Sequence, residues 1–252
     1  MKIGVIALIP EMLSAVKDFG VVGRAFERGL VELTEVNPRD FAFDRHSTVD
    51  DRPYGGGPGM VLKAEPVIAA VDHTKDLLGG DAVVVHFSPR GVPLDQARLA
   101  RWIAEGKPLI FLASRYEGLD QRAIDLRVDE EVCVGDFVVS GGELPVMMAL
   151  DALIRLLPGV LGDESSKNDE SFVDGLLEYP QYTRPETVMN RRVPEVLVSG
   201  DHQKIAVWRQ EQATWVTERR RPDLSVEGKK TGIEMPRGEE DARDPKSRKS
   251  HE

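Results

Sequence analysis

The sequence predicts an α/β fold built on a parallel β-sheet, followed by a small, mainly helical C-terminal domain. Short apolar runs at residues 81–87 and 107–113 alternate with amphipathic stretches such as residues 94–105. Apolar strands that alternate with helices are typical of parallel sheets covered on both faces. After residue 160 this alternation stops. We therefore expect an α/β domain at 1–160, a flexible linker at 161–178, a helical domain at 179–224 and a disordered charged tail at 225–252.

Each element follows from its local hydrophobic pattern and the turn residues that bound it. Residues 2–9 are apolar and predict the first strand, and Pro10 begins a helix toward Phe19. The remaining elements are a helix and strand within 23–33, buried strands at 81–87 and 107–113, helices at 94–105 and 121–127, a strand at 128–134 and an apolar helix at 145–157. In the helix at 94–105 we expect Leu94, Ala97, Trp102 and Ile103 to face the core.

Composition limits the class of protein. The chain has 252 residues, a net charge of −10 and a single cysteine, Cys133, which excludes an internal disulfide and a multi-cysteine metal site. No apolar run approaches the ~20 residues of a membrane span. The apolar N-terminus lacks a small-residue cleavage site, so we interpret it as a strand and expect a soluble, cytoplasmic protein.

The charge is distributed unevenly along the chain. Residues 161–180 carry one basic and six acidic side chains, whereas residues 181–225 carry eight basic and six acidic ones. A weakly basic segment in an acidic chain is compatible with nucleic-acid binding, but the count alone favours a solvated helical face.

A glycine-rich turn at residues 134–145 joins the last predicted strand to the apolar helix. Gly135, Gly141 and Gly142 allow close approach of backbone to backbone or to a ligand. Pro145 suits a first helical turn, where its missing N–H needs no partner. The turn is therefore either part of a ligand pocket at the carboxyl end of a strand or a tight connection without a ligand.

A long irregular segment at residues 40–60 interrupts the strand–helix alternation. Irregular connections of this length are uncommon in compact domains unless they are functional or disordered, and the mixture of aromatic and charged residues disfavours disorder. Its glycine run at residues 55–59 matches neither a P-loop nor the dinucleotide fingerprint. A binding role and close packing against a neighbouring loop both remain open.

Three groups of residues carry candidate chemistry. The turns at 86–91, 113–120 and 134–145 follow neighbouring strands, whose carboxyl ends form ligand sites in open α/β sheets. Arg155 is either a snorkelling surface residue or a fixed cation for a developing oxyanion. The pair Asp169 and Glu170 either keeps a linker soluble or supplies a general base.

The C-terminal segment begins with a proline-bracketed stretch at residues 179–185. Within residues 186–221, Ser199 to Asp201 cap a helix that we expect to carry Ile205, Trp208 and Trp215 on one face, with Arg209 and residues 219–221 outside.

Four motifs together resemble the bacterial tRNA (guanine-N1)-methyltransferases, which are trefoil-knotted SPOUT methyltransferases. They are residues 46–60, which contain Asp-Asp-Arg-Pro-Tyr-Gly-Gly-Gly-Pro-Gly-Met, 114–118 (Ser-Arg-Tyr-Glu-Gly), 135–145 (Gly-Asp-Phe-Val-Val-Ser-Gly-Gly-Glu-Leu-Pro) and 182–185 (Tyr-Thr-Arg-Pro). Each motif is weak alone, but the set is specific and spans residues 1 to about 222. The tail is not covered.

This resemblance implies methyl transfer from S-adenosylmethionine to N1 of guanosine 37 of tRNA by a homodimer whose active site lies between subunits. It implies that residues 1–160 form a knotted, S-adenosylmethionine-binding catalytic domain, although general topology rules would exclude a knot, and that residues 179–224 bind tRNA. The sulfonium methyl group is already activated, so that no metal is needed to make it electrophilic. The cofactor-binding residues that it implies are His86, Phe87, Ser88, Pro89, Ser114, Glu117, Val134, Gly135, Asp136, Phe137, Val138, Val139, Gly141 and Pro145. Ser114 stands where the family often has glycine.

The resemblance also implies the catalytic groups. Arg155 matches the arginine that stabilises the guanine oxygen. The usual Glu-Asp-Ser-Phe is Asp169-Glu170-Ser171-Phe172 here, so that Glu170 matches the aspartate base by position and Asp169 matches it by residue type. We prefer Glu170 and keep Asp169 as the alternative.

Other function classes are weighed against this one. A nicotinamide or flavin oxidoreductase would also have a parallel sheet, but the glycine fingerprint of dinucleotide-binding proteins is absent from this sequence. A non-catalytic RNA-binding protein would have no need of Arg155 or the carboxylate pair. A knotted methyltransferase acting on rRNA is the nearest alternative.

Overall fold

The computed structural model describes residues 1–162, 170–172 and 174–224. Its central element is a parallel five-stranded sheet in the order β2-β1-β6-β5-β7. These strands are β1 (Lys2–Ile6), β2 (Glu32–Val36), β5 (Val83–Pro93), β6 (Leu109–Ala113) and β7 (Glu130–Cys133). The predicted α/β class with a parallel sheet is therefore confirmed.

Helices cover both faces of this sheet. They are α1 (Ser14–Lys17), α2 (Gly20–Glu27), α3 (Ala64–Leu78), α4 (Gln96–Glu105), α5 (Gln121–Arg127) and α6 (Glu143–Ile154). Side chains of the sheet alternate between two apolar clusters: in β6, Leu109 and Phe111 belong to one cluster, and Ile110 and Leu112 belong to the other. All four are nearly inaccessible to solvent, and each such burial stabilises the fold by about 1.5–3 kcal/mol.

Several predicted boundaries were wrong by a few residues. β5 continues to Pro93 instead of ending at residue 87, because a register shift between Phe87 and Val92 lets it keep pairing with β7. The helix predicted from Pro10 is a 3₁₀ helix, Pro10–Leu13, followed by the short α1.

Two predictions in helices are corrected. α6 begins at Glu143, so that Pro145 is its third residue, and it ends at Ile154 rather than 157. Pro145 does lie in the first turn, as its missing N–H allows. In α4, Ala97 is exposed and Leu99 takes the predicted inward place beside Trp102.

Sequence analysis did not predict α3, although a signal was present. Val67, Ala70, Val71 and Leu78 recur at helical spacing and are buried. The segment before α3 is irregular, as expected, apart from an antiparallel pair of two-residue strands, β3 (Asp50–Asp51) and β4 (Val61–Leu62).

The chain divides into two compact units, Met1–Glu164 and Ser165–Glu252. In the second unit, a hairpin of β8 (Thr187–Val188) and β9 (Arg191–Arg192) precedes α7 (Glu195–Val198) and α8 (His202–Arg220). Asp201 caps α8 by accepting a hydrogen bond from the Lys204 amide at 3.1 Å. Residues 163–169 and 173 of the predicted linker lie outside the described residues, as does the predicted tail.

Within α8 the expected apolar face is only partly correct. Ile205 and Trp208 are half-buried, but Trp215 is 52% exposed. The buried residues of the helix are Ala213 and Thr217. Arg209 lies over the ring of Tyr179 at 4.8 Å from its centroid. Among the described residues, no helix is long and apolar enough to span a membrane.

Candidate active site

A cavity of about 380 Å³ lies beside the middle of β5, where β6 and β7 end. Its walls come from residues 86–90 within β5, residues 114–119 after β6 and residues 132–142 at and after the end of β7, together with Pro145 in the first turn of α6. Because adjacent parallel strands end at one edge of the sheet, loops that are far apart in sequence meet there. The three turns singled out in the sequence therefore come together.

Close backbone packing holds two of these loops against each other. The amide of Gly142 donates to the carbonyl of Ser114 at 2.7 Å. A Cβ atom at Gly142 would lie 2.8 Å from the Cα of Ala113 and from the nitrogen of Ser114, closer than side-chain carbons are found to backbone. Position 142 therefore requires glycine if the loop after β7 is to meet the loop after β6.

His86 ties the cavity wall together with both of its ring nitrogens. Its Nδ1 lies 3.0 Å from a Glu131 carboxylate oxygen, and its Nε2 lies 2.9 Å from the Ser114 hydroxyl. Burial lowers the pKa of His86, and it outweighs the opposing effect of Glu131. The ring is therefore neutral, with Nδ1–H donating to Glu131 and Nε2 accepting from the Ser114 hydroxyl.

Glu117 lines the cavity and also packs against the glycine run of the irregular segment. Its amide donates to the carbonyl of Met60 at 2.9 Å. Gly59 has a φ of +83°, and a Cβ atom there would overlap the Glu117 side chain. Gly59 therefore supports the interpretation that the glycine run at residues 55–59 packs closely against a neighbouring loop. This close packing against Gly59 also restricts the position of the Glu117 side chain.

Arg115 and Glu143 form a buried ion pair that sequence analysis missed. Arg115 Nε donates to Glu143 Oε1 at 2.8 Å, and Glu143 is fully buried. Within the described residues, Glu143 Oε2 has no hydrogen-bond partner. Glu143 is the first residue of α6, where backbone N–H groups favour a negative charge. An acidic residue in a first helical turn was the available signal, but only the fold pairs it with Arg115.

The structure brings together nearly all of the predicted cofactor-binding residues. Every one of them lines the cavity except Asp136, which is exposed. The cavity is lined additionally by Arg90, Arg115 and Tyr116, which lie in the predicted turns but were not named as cofactor-binding residues, and by Cys133 of β7.

The predicted catalytic residues are not among those that line this cavity. Arg155 follows the last residue of α6 and is half-buried, whereas the first residues of that helix border the cavity. Glu170 belongs to the second unit, where it lines another cavity with Asp174 and Glu178. Asp169 lies outside the described residues. No group of three or more described His, Cys, Asp or Glu side chains could hold a metal ion.

Comparisons with known proteins identify the family. A family model described as tRNA (Guanine-1)-methyltransferase TrmD matches residues 1–227. A tRNA (guanine-N(1)-)-methyltransferase of Halorhodospira halophila is 54% identical over 223 residues, which are 88% of this chain and 84% of that protein. Proteins with the same name from Shewanella oneidensis and Pseudoalteromonas translucida are 53% and 52% identical over 224 and 222 residues. The match to the Shewanella protein covers 89% of this chain and 90% of that protein. The match to the Pseudoalteromonas protein covers 88% of this chain and 87% of that protein.

The matches run through all four motifs on which the resemblance was based, and they cover both the cavity and the C-terminal helical unit. The chain therefore belongs to the tRNA (guanine-1)-methyltransferase family.

Proposed function

We propose that the chain transfers a methyl group from S-adenosylmethionine to N1 of guanosine 37 of tRNA, beside the anticodon, in the cytoplasm. The observation that carries this proposal is the convergence of residues 86–90 of β5 and the loops after β6 and β7 in one cavity. Its volume of about 380 Å³ is within the ~300–1,000 Å³ of small-molecule sites. The glycine-rich wall offers backbone donors and acceptors, and Glu117 offers a negative charge to a sulfonium cation.

The methyl donor supplies an activated methyl group, so that the remaining chemistry concerns the guanine. Guanine N1 carries a proton and becomes nucleophilic only when that proton leaves, while negative charge moves toward O6. A general base and a nearby cation are therefore both needed. We assign the base to Glu170, with Asp169 as the alternative, and the cation to Arg155.

A second copy of the chain would complete this site. Arg155 follows α6, whose third residue, Pro145, lines the cavity; the length of helix between the two residues corresponds to about 15 Å. Arg155 and a methyl donor bound in the cavity therefore act on one guanine only if a second subunit brings them together. Leu144 and Met148, one helical turn apart, leave an apolar face of α6 exposed. We propose that this face lies in a homodimer interface.

The deep trefoil knot of this family is part of the proposal. β7 pairs with β5 at the edge of the sheet, yet the chain beyond β7 returns to the loop after β6, where Gly142 donates to Ser114. Because β5 lies between β6 and β7 in the sheet, this course crosses from one side of β5 to the other, which supports the proposal of a knotted path.

Methylation of purified tRNA tests the proposed function. We expect the protein to transfer label from S-adenosylmethionine to tRNA carrying G37 and not to the same tRNA with adenosine at that position. S-adenosylmethionine should raise the melting temperature of the protein, whereas NAD should not. If rRNA were methylated and tRNA were not, the chain would be a related methyltransferase with a different substrate.

A further inference from the structure

A second cavity, of about 550 Å³, lies entirely within the C-terminal unit. It is formed by the extended segment at residues 179–186 on one side and by Val193, Leu197, Ile205 and Trp208 on the other. None of the predicted methyl-donor or catalytic residues lines it.

The cavity presents accessible aromatic faces. The ring centroids of Tyr182 and Trp208 are 6.3 Å apart and the rings are tilted by 55°, so that they are not stacked on each other. Tyr182 is 50% exposed and Trp208 is half-buried. An aromatic pair that serves only as core would be buried. This pair leaves ring surface on which a flat group can stack.

The charges around these rings favour an anion. Arg184 and Arg209 line the cavity, and Arg209 is held over the ring of Tyr179. Glu186, the acidic side chain in the described lining, pairs with Arg192 at 2.8 Å, which offsets its charge. Aromatic faces beside arginine guanidinium groups are the arrangement by which proteins bind single-stranded RNA. This local positive charge occurs in a chain whose net charge is −10.

The candidate general base lies next to this cavity. Glu170 lines an adjoining cavity of about 280 Å³, and Tyr179 and Arg209 line both. A guanine that faces Glu170 would therefore lie across the Tyr179–Arg209 contact from the Tyr182–Trp208 cavity. A neighbouring nucleotide of the same strand is a group that could reach across this contact.

We infer that the Tyr182–Trp208 cavity binds an unpaired nucleobase of the tRNA that neighbours the methylated guanine, with its phosphate beside Arg184 or Arg209. The neighbouring nucleobase stacks on Tyr182 and Trp208. It thereby anchors the RNA strand while the target guanine contacts the general base Glu170. This inference rests on the proposed function, because it takes the RNA substrate to be tRNA.

The test compares variants of the full-length protein for binding to an anticodon stem–loop RNA. Tyr182→Leu keeps an apolar side chain but removes the aromatic face, and we expect it to weaken RNA binding roughly tenfold or more. Tyr182→Phe keeps the face and should bind within about twofold of the unsubstituted protein. Trp215→Leu is the matched control: Trp215 is exposed in the same helix and contacts Arg219 at 4.8 Å, outside the cavity.

A spectroscopic readout distinguishes stacking from a structural effect. RNA with 2-aminopurine beside the target guanine should lose fluorescence on binding to the unsubstituted protein and to Tyr182→Phe, but much less on saturation of Tyr182→Leu. Arg184→Gln, at an exposed position, should weaken binding and reduce its salt dependence by about one phosphate contact. Its effect remains measurable even if Tyr182→Leu does not fold.

The inference and the proposed function fail in different ways. If the unsubstituted protein neither bound S-adenosylmethionine nor methylated tRNA, the proposed function would be wrong. If it did both, but Tyr182→Leu and Arg184→Gln bound RNA as tightly and quenched 2-aminopurine as strongly as the unsubstituted protein, the nucleobase site would be wrong.

Discussion

His86 Nε2 lies 2.9 Å from the hydroxyl of Ser114 and joins the middle of β5 to the end of β6 inside the wall of the cavity. The Ser114 hydroxyl gives the buried imidazole a donor. The pair exists because β6 ends beside the middle of β5. Neither residue alone indicates it in the sequence.

This pair makes the stability of the protein depend on pH below neutrality. The folded state holds His86 neutral, because burial lowers its pKa despite Glu131 and with the help of Arg90. The unfolded chain binds a proton at that residue near pH 6.5. The unfolded state therefore gains protons first as pH falls below about 6.5, and the free energy of unfolding decreases by at most about 1.4 kcal/mol per pH unit from this group.

Urea unfolding between pH 7.5 and 5.5 measures this effect. His86→Gln retains a donor for Glu131 and an acceptor for Ser114 but cannot titrate. We expect its stability to decline less steeply than that of the unsubstituted protein over this interval. Equal slopes for the two proteins would show that His86 does not contribute.

The Arg115–Glu143 pair should be strongly coupled. Arg115→Met leaves the fully buried Glu143 carboxylate without a counter-charge, and breaking a buried pair in this way costs about 3–5 kcal/mol. The double variant Arg115→Met/Glu143→Met removes the charge as well and should recover much of that loss. Chemical denaturation of the two single variants and the double variant gives the coupling energy. Additive losses would contradict it.

Gly142→Ala should damage the cavity without reaching any ligand directly. The added methyl group would lie 2.8 Å from the backbone at Ala113 and Ser114, so that the two loops must separate. Overpacking of this kind costs about 1–3 kcal/mol. Calorimetric titration should show a lower affinity for S-adenosylmethionine, and thermal unfolding should show a lower melting temperature.

Gly162→Ala is the control for this substitution, because a Cβ at Gly162 meets no heavy atom of the described part of the chain within 4 Å. It should bind the methyl donor like the unsubstituted protein. If Gly142→Ala behaved in the same way, the loops would be less tightly constrained than their geometry indicates.

The sheet and the cavity were largely predictable from sequence, and the reason is local. Apolar strand runs and the glycine-rich turns after them are encoded by neighbouring residues, and parallel pairing then places those turns together. The Arg115–Glu143 and His86–Ser114 contacts join residues about 28 positions apart. They depend on the order of β6, β5 and β7 in the sheet, which the strand pattern does not specify.

Errors in helices have a different origin. α8 is polar on most of its surface, and its buried residues, Ala213 and Thr217, are too small or polar to stand out. Trp215 was predicted to lie on the apolar face because it is large and hydrophobic, but it is exposed. In such a helix, packing partners rather than side-chain hydrophobicity decide which face is inward.

Met148→Glu should separate the proposed homodimer. Met148 is 53% exposed on α6 beside the exposed Leu144, and a charge in an apolar interface has no partner there. We expect a dimer for the unsubstituted protein and a monomer for the variant by light scattering, with loss of tRNA methylation. Leu77→Glu, at a residue of the same 53% exposure on α3, should remain dimeric and active. A monomeric unsubstituted protein would overturn the interface.

Alanine substitution of the two neighbouring carboxylates identifies the general base. We propose Glu170 as the general base, and removal of a general base typically slows the chemical step about 10²- to 10⁴-fold. We expect Glu170→Ala to lower kcat for tRNA methylation by this amount and to leave the affinity for S-adenosylmethionine unchanged, because Glu170 does not line the cavity assigned to the methyl donor.

Asp169→Ala is the matched control for that experiment, since it removes an equal charge from the adjacent position. We expect it to retain most of the activity. The reverse result, an active Glu170→Ala and an inactive Asp169→Ala, would assign proton removal to Asp169. An aspartate would then act as the base, one position earlier in the chain. Either carboxylate needs only to reach the N1 proton, and the two side chains differ in length by about one C–C bond.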